Sequence, residues 1–209
     1  MDITFIFFLG LFIALVGVIP PGLLNMTAAK ISLKEGHSRG IVFSIGVCVI
    51  VIVQTYIATI FARYLSNHPE VIDVLQRVAF VIFVLITIYY LFIAKNKPKK
   101  QAIPKIRSKH SRFFHGIFLS AINIFPIPYQ AYVTITLASA GWLAFDQISI
   151  ISYVAGATTG TFVMLYMYIF FFDKIKEKSF TSQKNMNRII GGITGIISVV
   201  TLINIIKEL

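Results

Sequence analysis

Six stretches of this sequence hold no Asp, Glu, Lys or Arg: residues 3–29, 41–62, 78–94, 113–145, 147–172 and 189–206. Each is close to or above the ~20 apolar residues that an α-helix needs to cross ~30 Å of hydrocarbon. A soluble protein would also show polar faces at helical period, and these runs show none. Composition agrees. Of 209 residues, 57% are hydrophobic and 13% charged, with a mean hydropathy of +0.83, where a soluble domain carries about a quarter charged residues. The expected fold class is all-α integral membrane, with six transmembrane helices and no room for a separate soluble domain. The first run begins after Asp2, without a basic stretch, and is too long for the core of a cleavable signal. Cys48 is the sole cysteine, so neither an intramolecular disulfide nor a cysteine metal cluster is expected.

The net charge of +11 is organised by the runs. Sixteen of the nineteen basic residues follow the first, third and fifth runs, and only Arg63, Arg77 and Lys207 fall on the other side. The positive-inside rule then puts both termini outside the cytoplasm of a cell inner (cytoplasmic) membrane. The densest basic stretch, residues 95–112, reads as a cytoplasmic linker that orients the chain. Basic segments beside a bilayer also attract anionic headgroups, at ~1 kcal/mol per charge. No aromatic side chains interleave its charges to stack on bases, so nucleic acid is not an expected partner.

The linker divides the chain into residues 1–94 and 113–209, with three runs each. Three is odd, so two such units enter the membrane from opposite sides, the inverted repeat of many secondary transporters. Helix 1 carries Pro20-Pro21-Gly22 and helix 4 carries Pro126 and Pro128. Proline inside a helix removes a backbone hydrogen bond and clashes with the preceding turn. Such breaks are tolerated in hydrocarbon only where protein or a wet cavity satisfies the freed groups. Helices 1 and 4 are therefore expected to be broken at these prolines, with a substrate site between them. An offset of 105 places Pro21 on Pro126, Asn25 on Gln130 and Gly36 on Gly141. Asn25 and Gln130 each lie four residues past a proline, Asn123 precedes the second break and Gln54 lies deep in helix 2. Amides are costly against lipid and should face the bundle interior, where they hold either solute or a neighbouring helix. The expected substrate-binding set is Pro21, Gly22, Asn25, Gln54, Asn123, Pro126, Pro128 and Gln130.

The remaining features read as packing. Gly156–Gly160, Gly191–Gly195 and the Gly40, Ser44, Cys48 stripe allow close helix approach. Thr158, Thr159 and Thr161 suit either a polar path or bonds to carbonyls of their own helix. Tyr89, Tyr90, Trp142 and Tyr168 fit interfacial anchors. The four histidines lie in or beside loops without metal-ligand spacing, and the runs hold no serine–histidine–acid set and no paired carboxylates. No enzymatic activity, cofactor or metal is expected.

PPGLLNMTAAKISLKEGHSRGIVFSIG resembles the N-terminal signature of the LysE-type (lysine exporter and threonine efflux) amino-acid translocators, through Pro21, Gly22, Gly36, Gly40 and Gly46. HGIFLSAIN resembles the segment leading into that family's asparagine–proline motif, at Gly116 and Asn123. NRIIGGITG, from Asn187 to Gly195, is similar to the start of its last helix. Three positions depart from the pattern. Leu23 stands for the second proline, Asn123-Ile124 for the asparagine–proline step, and Ile50-Val51 for a glycine–aspartate pair. All eight acidic residues thus lie at or outside run ends. The resemblance implies a secondary transporter that exports amino acids or a related small polar solute by alternating access, with the lipid bilayer and a homodimeric mate as partners. Its rivals are a transporter of metal cations and a membrane assembly subunit that moves nothing.

Overall fold

The computed structural model describes residues 2–20, 22–93 and 107–175, and eleven positions between 188 and 206. Most of the linker, Pro21 and much of the sixth run therefore lie outside the described residues. Every described element is helical. The elements are α1 (Ile3–Val18), α2 (Leu23–Glu35), α3 (His37–Ser66), α4 (Pro69–Ile88) ending in a π-helical turn (Tyr89–Ile93), α5 (Lys109–Ala121), α6 (Pro126–Ser139) and α7 (Gln147–Ile175). Described positions from 188 to 206 are helical as well. Among the described residues, α3 and α7 are each long and apolar enough to cross a membrane. A third results if α1 and α2, bent by 77° at their junction, form one broken crossing.

Helix ends follow local chemistry. Asp2 caps α1 by accepting from the Thr4 N–H at 2.9 Å, and Ser108 caps α5 by accepting from the Ser111 N–H at 3.1 Å. The turn after α2 is made by Gly36 (φ 95°) and the turn after α6 by Gly141 (φ 75°), the two described residues with positive φ. A side chain would be strained at either place. These are the two glycines that the offset of 105 superimposes.

The helices form two compact units, and the units cut across the two halves of the sequence. One holds α1–α3 and α5–α7; the other holds α4, its π-turn and the helical residues from 188 on. Each half thus gives its first two runs to the first unit and its third run to the second. Within the second unit, Gly191 lies against Leu91 and Gly195 against Thr87.

The first unit has its polarity inside out. Phe5, Phe8, Phe12 and Val16 of α1 and Ile45, Val49, Ile52 and Val53 of α3 are exposed, whereas Asn25, Ser44, Gln54, Thr55, Ser120, Gln130 and Thr134 are buried. That arrangement suits a solvent of hydrocarbon, in which lipid covers apolar faces and polar groups find partners within the protein.

Two helix pairs hold this unit together, and each joins opposite halves of the sequence. α1 lies on α7, where Ser152, Gly156, Gly160 and Tyr168 meet Ile3, Phe7, Leu11 and Ile19 in register, so the two helices run in the same direction. α3 lies on α5 in the same sense, with Arg39 bonded to Arg107 and Gln54 to Ser120. The contacts are reciprocal in both pairs. A Cβ on Gly10 would strike the Tyr153 carbonyl and one on Gly156 the Phe7 carbonyl; a Cβ on Gly46 would strike the Phe113 carbonyl and one on Gly116 the Phe43 carbonyl. Backbones touch at all four places, which is the use of small residues in membrane helix packing.

Candidate functional site: two broken helices

The first interruption, residues 19–22, contains Pro20 and Gly22. It bares carbonyls that no longer find a partner four residues on. Asn25 takes two of them, its Nδ2 donating to the Val18 and Pro20 carbonyls, both at 2.9 Å. Its Oδ1 accepts from the Gly22 N–H at 2.6 Å. Tyr168 of α7 donates to the Ile19 carbonyl at 2.7 Å. Tyr168 is buried, so it is not the interfacial anchor its position near a run end implied; it holds the first break closed from the other half of the chain.

The second interruption, Ile122–Phe125, lies ahead of the prolines rather than at Pro126–Pro128. Pro126 opens α6 and Pro128 follows within its first turn. A missing N–H costs nothing there, because first-turn donors have no partner within the helix. The carbonyls of Ser120, which also accepts from the Asn123 N–H, and of Asn123 accept from Gln54 Nε2 of α3, at 3.1 and 3.0 Å. Each break is therefore held by a buried side chain from the opposite half.

The two interruptions adjoin through α6. Tyr129 lies against Gly17 and donates to the Ile13 carbonyl at 3.2 Å. Gln130 is buried, and its Oε1 accepts from the Tyr153 hydroxyl at 2.7 Å. Of the expected site residues, Gly22 and Asn25 meet at one break, while Gln54 meets Asn123 at the other. Pro126 is half-buried, Pro128 is exposed and Pro21 lies outside the described residues. Asn25 and Gln130 are engaged separately, Asn25 with its own break and Gln130 with α7. Thr158, Thr159 and Thr161 each donate to a carbonyl four residues back, the local alternative to a polar path.

Sequence reasoning missed Tyr153 and Tyr168. A tyrosine well inside an apolar run needs a partner for its hydroxyl when buried, and that was the available signal. It also missed the buried ion pair between Glu35, at the end of α2, and Arg112, in the first turn of α5. Arg112 Nε donates to Glu35 Oε2 at 2.8 Å, and its Nη2 closes a second bond to Oε1. Beside it, Arg39 donates to the Arg107 and Glu35 carbonyls at 2.9 and 2.8 Å. This cluster ties the end of the first broken helix to the start of the second. A cavity of about 570 Å³ between the first turns of α1 and α7, lined by Ile3, Phe7, Ile148 and Ile151, is apolar and lies away from both breaks. Among the described residues, no three of His, Cys, Asp and Glu gather as metal ligands would.

Apolar exterior, buried polar side chains and two broken helices tied to each other's halves define a helical membrane protein. The chain belongs to the LysE type translocator family, which it matches over residues 15–205. It is a membrane transporter of amino acids or related solutes by family, and the family is not one of enzymes. No curated protein and no solved structure matches the chain.

Proposed function

We propose that the chain exports an amino acid, or a related small polar solute, across the cytoplasmic membrane by alternating access. Its six runs act as an inverted repeat with both termini outside the cytoplasm. One observation carries this reading. The two halves use the same parts in the same way, each sending its broken helix to lie parallel on the other half's second helix through a reciprocal glycine contact. Halves built alike and entering from opposite sides have two equivalent ways to pack, which is what rocking between inward- and outward-open states requires.

The solute lies between the breaks. At the start of α2, Asn25 Oδ1 already accepts from the Gly22 and Met26 N–H groups; the other first-turn N–H groups and the positive dipole end favour a carboxylate. α6 is less suited to that role, because Pro126 and Pro128 remove two of its first-turn donors. Its contribution is Gln130, whose amide is oriented by Tyr153 and reaches the polar part of the solute. Asn25 acts indirectly by holding the first break in shape. The Glu35–Arg112 pair closes the cytoplasmic end and opens when that end admits solute. The homodimer stays an expectation with this reading.

The test is efflux of a panel of amino acids from proteoliposomes, normalised to folded protein, beside thermal unfolding. Gln130→Leu removes a contact to a polar solute group, worth ~1–3 kcal/mol, or about tenfold or more in affinity. It lowers flux per folded molecule, and Tm as well, because the buried Tyr153 hydroxyl loses its acceptor. Asn25→Leu strands carbonyls of the first break at a similar cost each, so it lowers Tm as well as flux. Efflux of no panel member above protein-free vesicles, from well-folded protein, would contradict the function. Unchanged flux in Gln130→Leu would assign that residue to packing.

A further inference from the structure

Both ends of α2 are tied to the same level of α7. Tyr168 donates to the Ile19 carbonyl just ahead of α2, and Ser32, near its end, donates to the Ile169 carbonyl at 3.1 Å. A helix of 13 residues, ~20 Å long, therefore joins two points that adjoin along α7. The bend of 77° between α2 and α1 agrees, because α1 runs parallel to α7. So α2 crosses α7 instead of continuing α1. Its height follows from α7. From Gln147 to Ile169 is ~33 Å of helix, about the thickness of the hydrocarbon, and the apolar span ends at Phe171. The next span starts at the same level, where His37 of α3 stacks on Phe170 at 4.5 Å and bonds to Ser32 at 2.7 Å. α2 thus lies in the plane of the membrane, at one edge of the hydrocarbon.

The two faces of this helix differ in chemistry. Asn25, Ala28, Ala29, Ser32 and Glu35 are buried. Ala28 packs among Phe43, Leu165 and Ile169, and Ala29 against Tyr168. The opposite face exposes Leu23, Lys30, Leu33 and Lys34, which the helical period gathers on one side. That face carries two cations and no acid, since Glu35, the sole carboxylate of α2, is buried against Arg112. Leucines that enter the acyl boundary and lysines whose stems reach up to the headgroups are what an in-plane interfacial helix presents. On α7, Tyr166 and Phe170 stack at 4.4 Å and are exposed, an apolar wall for acyl chains that ends at the level of α2.

We propose that α2 is an interfacial helix whose exposed face, Leu23, Lys30, Leu33 and Lys34, binds anionic phospholipid. The lipid holds the arm that runs from the first break to the Glu35–Arg112 pair. On the orientation proposed above the leaflet is the cytoplasmic one. The contact itself needs neither that orientation nor any solute, so failure here and failure of the export reading are distinct results.

Two measurements on the full-length protein test it. Spin labels at Leu23→Cys, Thr27→Cys and Leu33→Cys, each in a Cys48→Ala background, report depth in vesicles through their accessibility to oxygen and to a water-soluble nickel chelate. All three are expected at the headgroup boundary. A depth that changes by ~15 Å from Leu23 to Leu33, as in a helix along the membrane normal, would overturn the proposal. Native mass spectrometry with equal phosphatidylglycerol and phosphatidylcholine reads the lipid retained. Phosphatidylglycerol is expected to be preferred, and Lys30→Gln and Lys34→Gln each to reduce that preference about fivefold, while arginine at either position preserves it. Equal retention of both lipids would contradict the site. So would a preference unchanged in the double glutamine variant, which assigns the anionic lipid to another basic segment. Protection of the labels by a second copy of the chain, without lipid preference, would give the face to a dimer contact and overturn it too.

Discussion

Single side chains here serve mostly to satisfy backbone that the fold leaves open. Asn25, Gln54 and Tyr168 hold carbonyls at the two breaks, and Asp146 performs the same service for a helix start. Its Oδ1 accepts from the Ile148 and Ser149 N–H groups, both at 3.1 Å. The Ser149 hydrogen bonds hold the Asp146 carboxyl below the usual carboxylate range. A carboxyl whose folded pKa is depressed stabilises the fold above its unfolded pKa and loses that effect as pH falls through the folded value. Amide exchange in the first turn of α7 is therefore expected to quicken on acidification below the ordinary aspartate range. Asp146→Ala should show the fast exchange at neutral pH, and Asp146→Asn should remain capped with the pH dependence gone. Equal protection in all three proteins across that range would show that the cap does not hold the helix. At this scale the sequence was partly legible. Amides deep in apolar runs had to face inward; Asn25, Gln54 and Gln130 are buried, and Asn123 is half-buried. What they face was not legible, because partners such as the Ser120 and Asn123 carbonyls are set by tertiary packing 66 and 69 residues away.

Between elements, the organising contact is backbone on backbone. The sequence singled out Gly156–Gly160 as a close-approach stripe, and both residues lie against α1. Gly10 and Gly116 drew no such reading, because a lone glycine has no periodic signature; its meaning comes from the carbonyl across from it. The breaks were legible as prolines, yet the second lies at Ile122–Phe125, since proline is as comfortable opening a helix as interrupting one. The reciprocal pairs make a quantitative expectation. Gly46→Ala or Gly116→Ala forces α3 and α5 apart, and Gly10→Ala or Gly156→Ala does the same to α1 and α7. Each should cost roughly 1–3 kcal/mol, the usual penalty for overpacking. Gly192, which has open space where a Cβ would go, should accept alanine without loss. Thermal unfolding of the five variants checks this, and a tolerated alanine at Gly46 and Gly116 would mean that the helices do not meet there.

On the scale of the whole molecule, hydropathy alone made the membrane class legible, and glycine and proline spacing made the family legible, which the match over residues 15–205 bears out. The two halves were legible only as a count of runs; the compact units mix them, because each broken helix satisfies its polar groups on the other half's second helix. That exchange of partners is the core of the export reading: both halves line one path, which opens to each side in turn. Its most direct test is accessibility of a single cysteine in the first turn of α2, Leu24→Cys, in a Cys48→Ala background, to a membrane-impermeant thiol reagent. Ser108→Cys and Ser66→Cys serve as references for the two faces, which the proposed orientation makes cytoplasmic and outside respectively. The account predicts that Leu24→Cys reacts from both sides, at rates that a transported solute shifts in opposite directions. Reaction from one side only, unchanged by every solute tried, would contradict it.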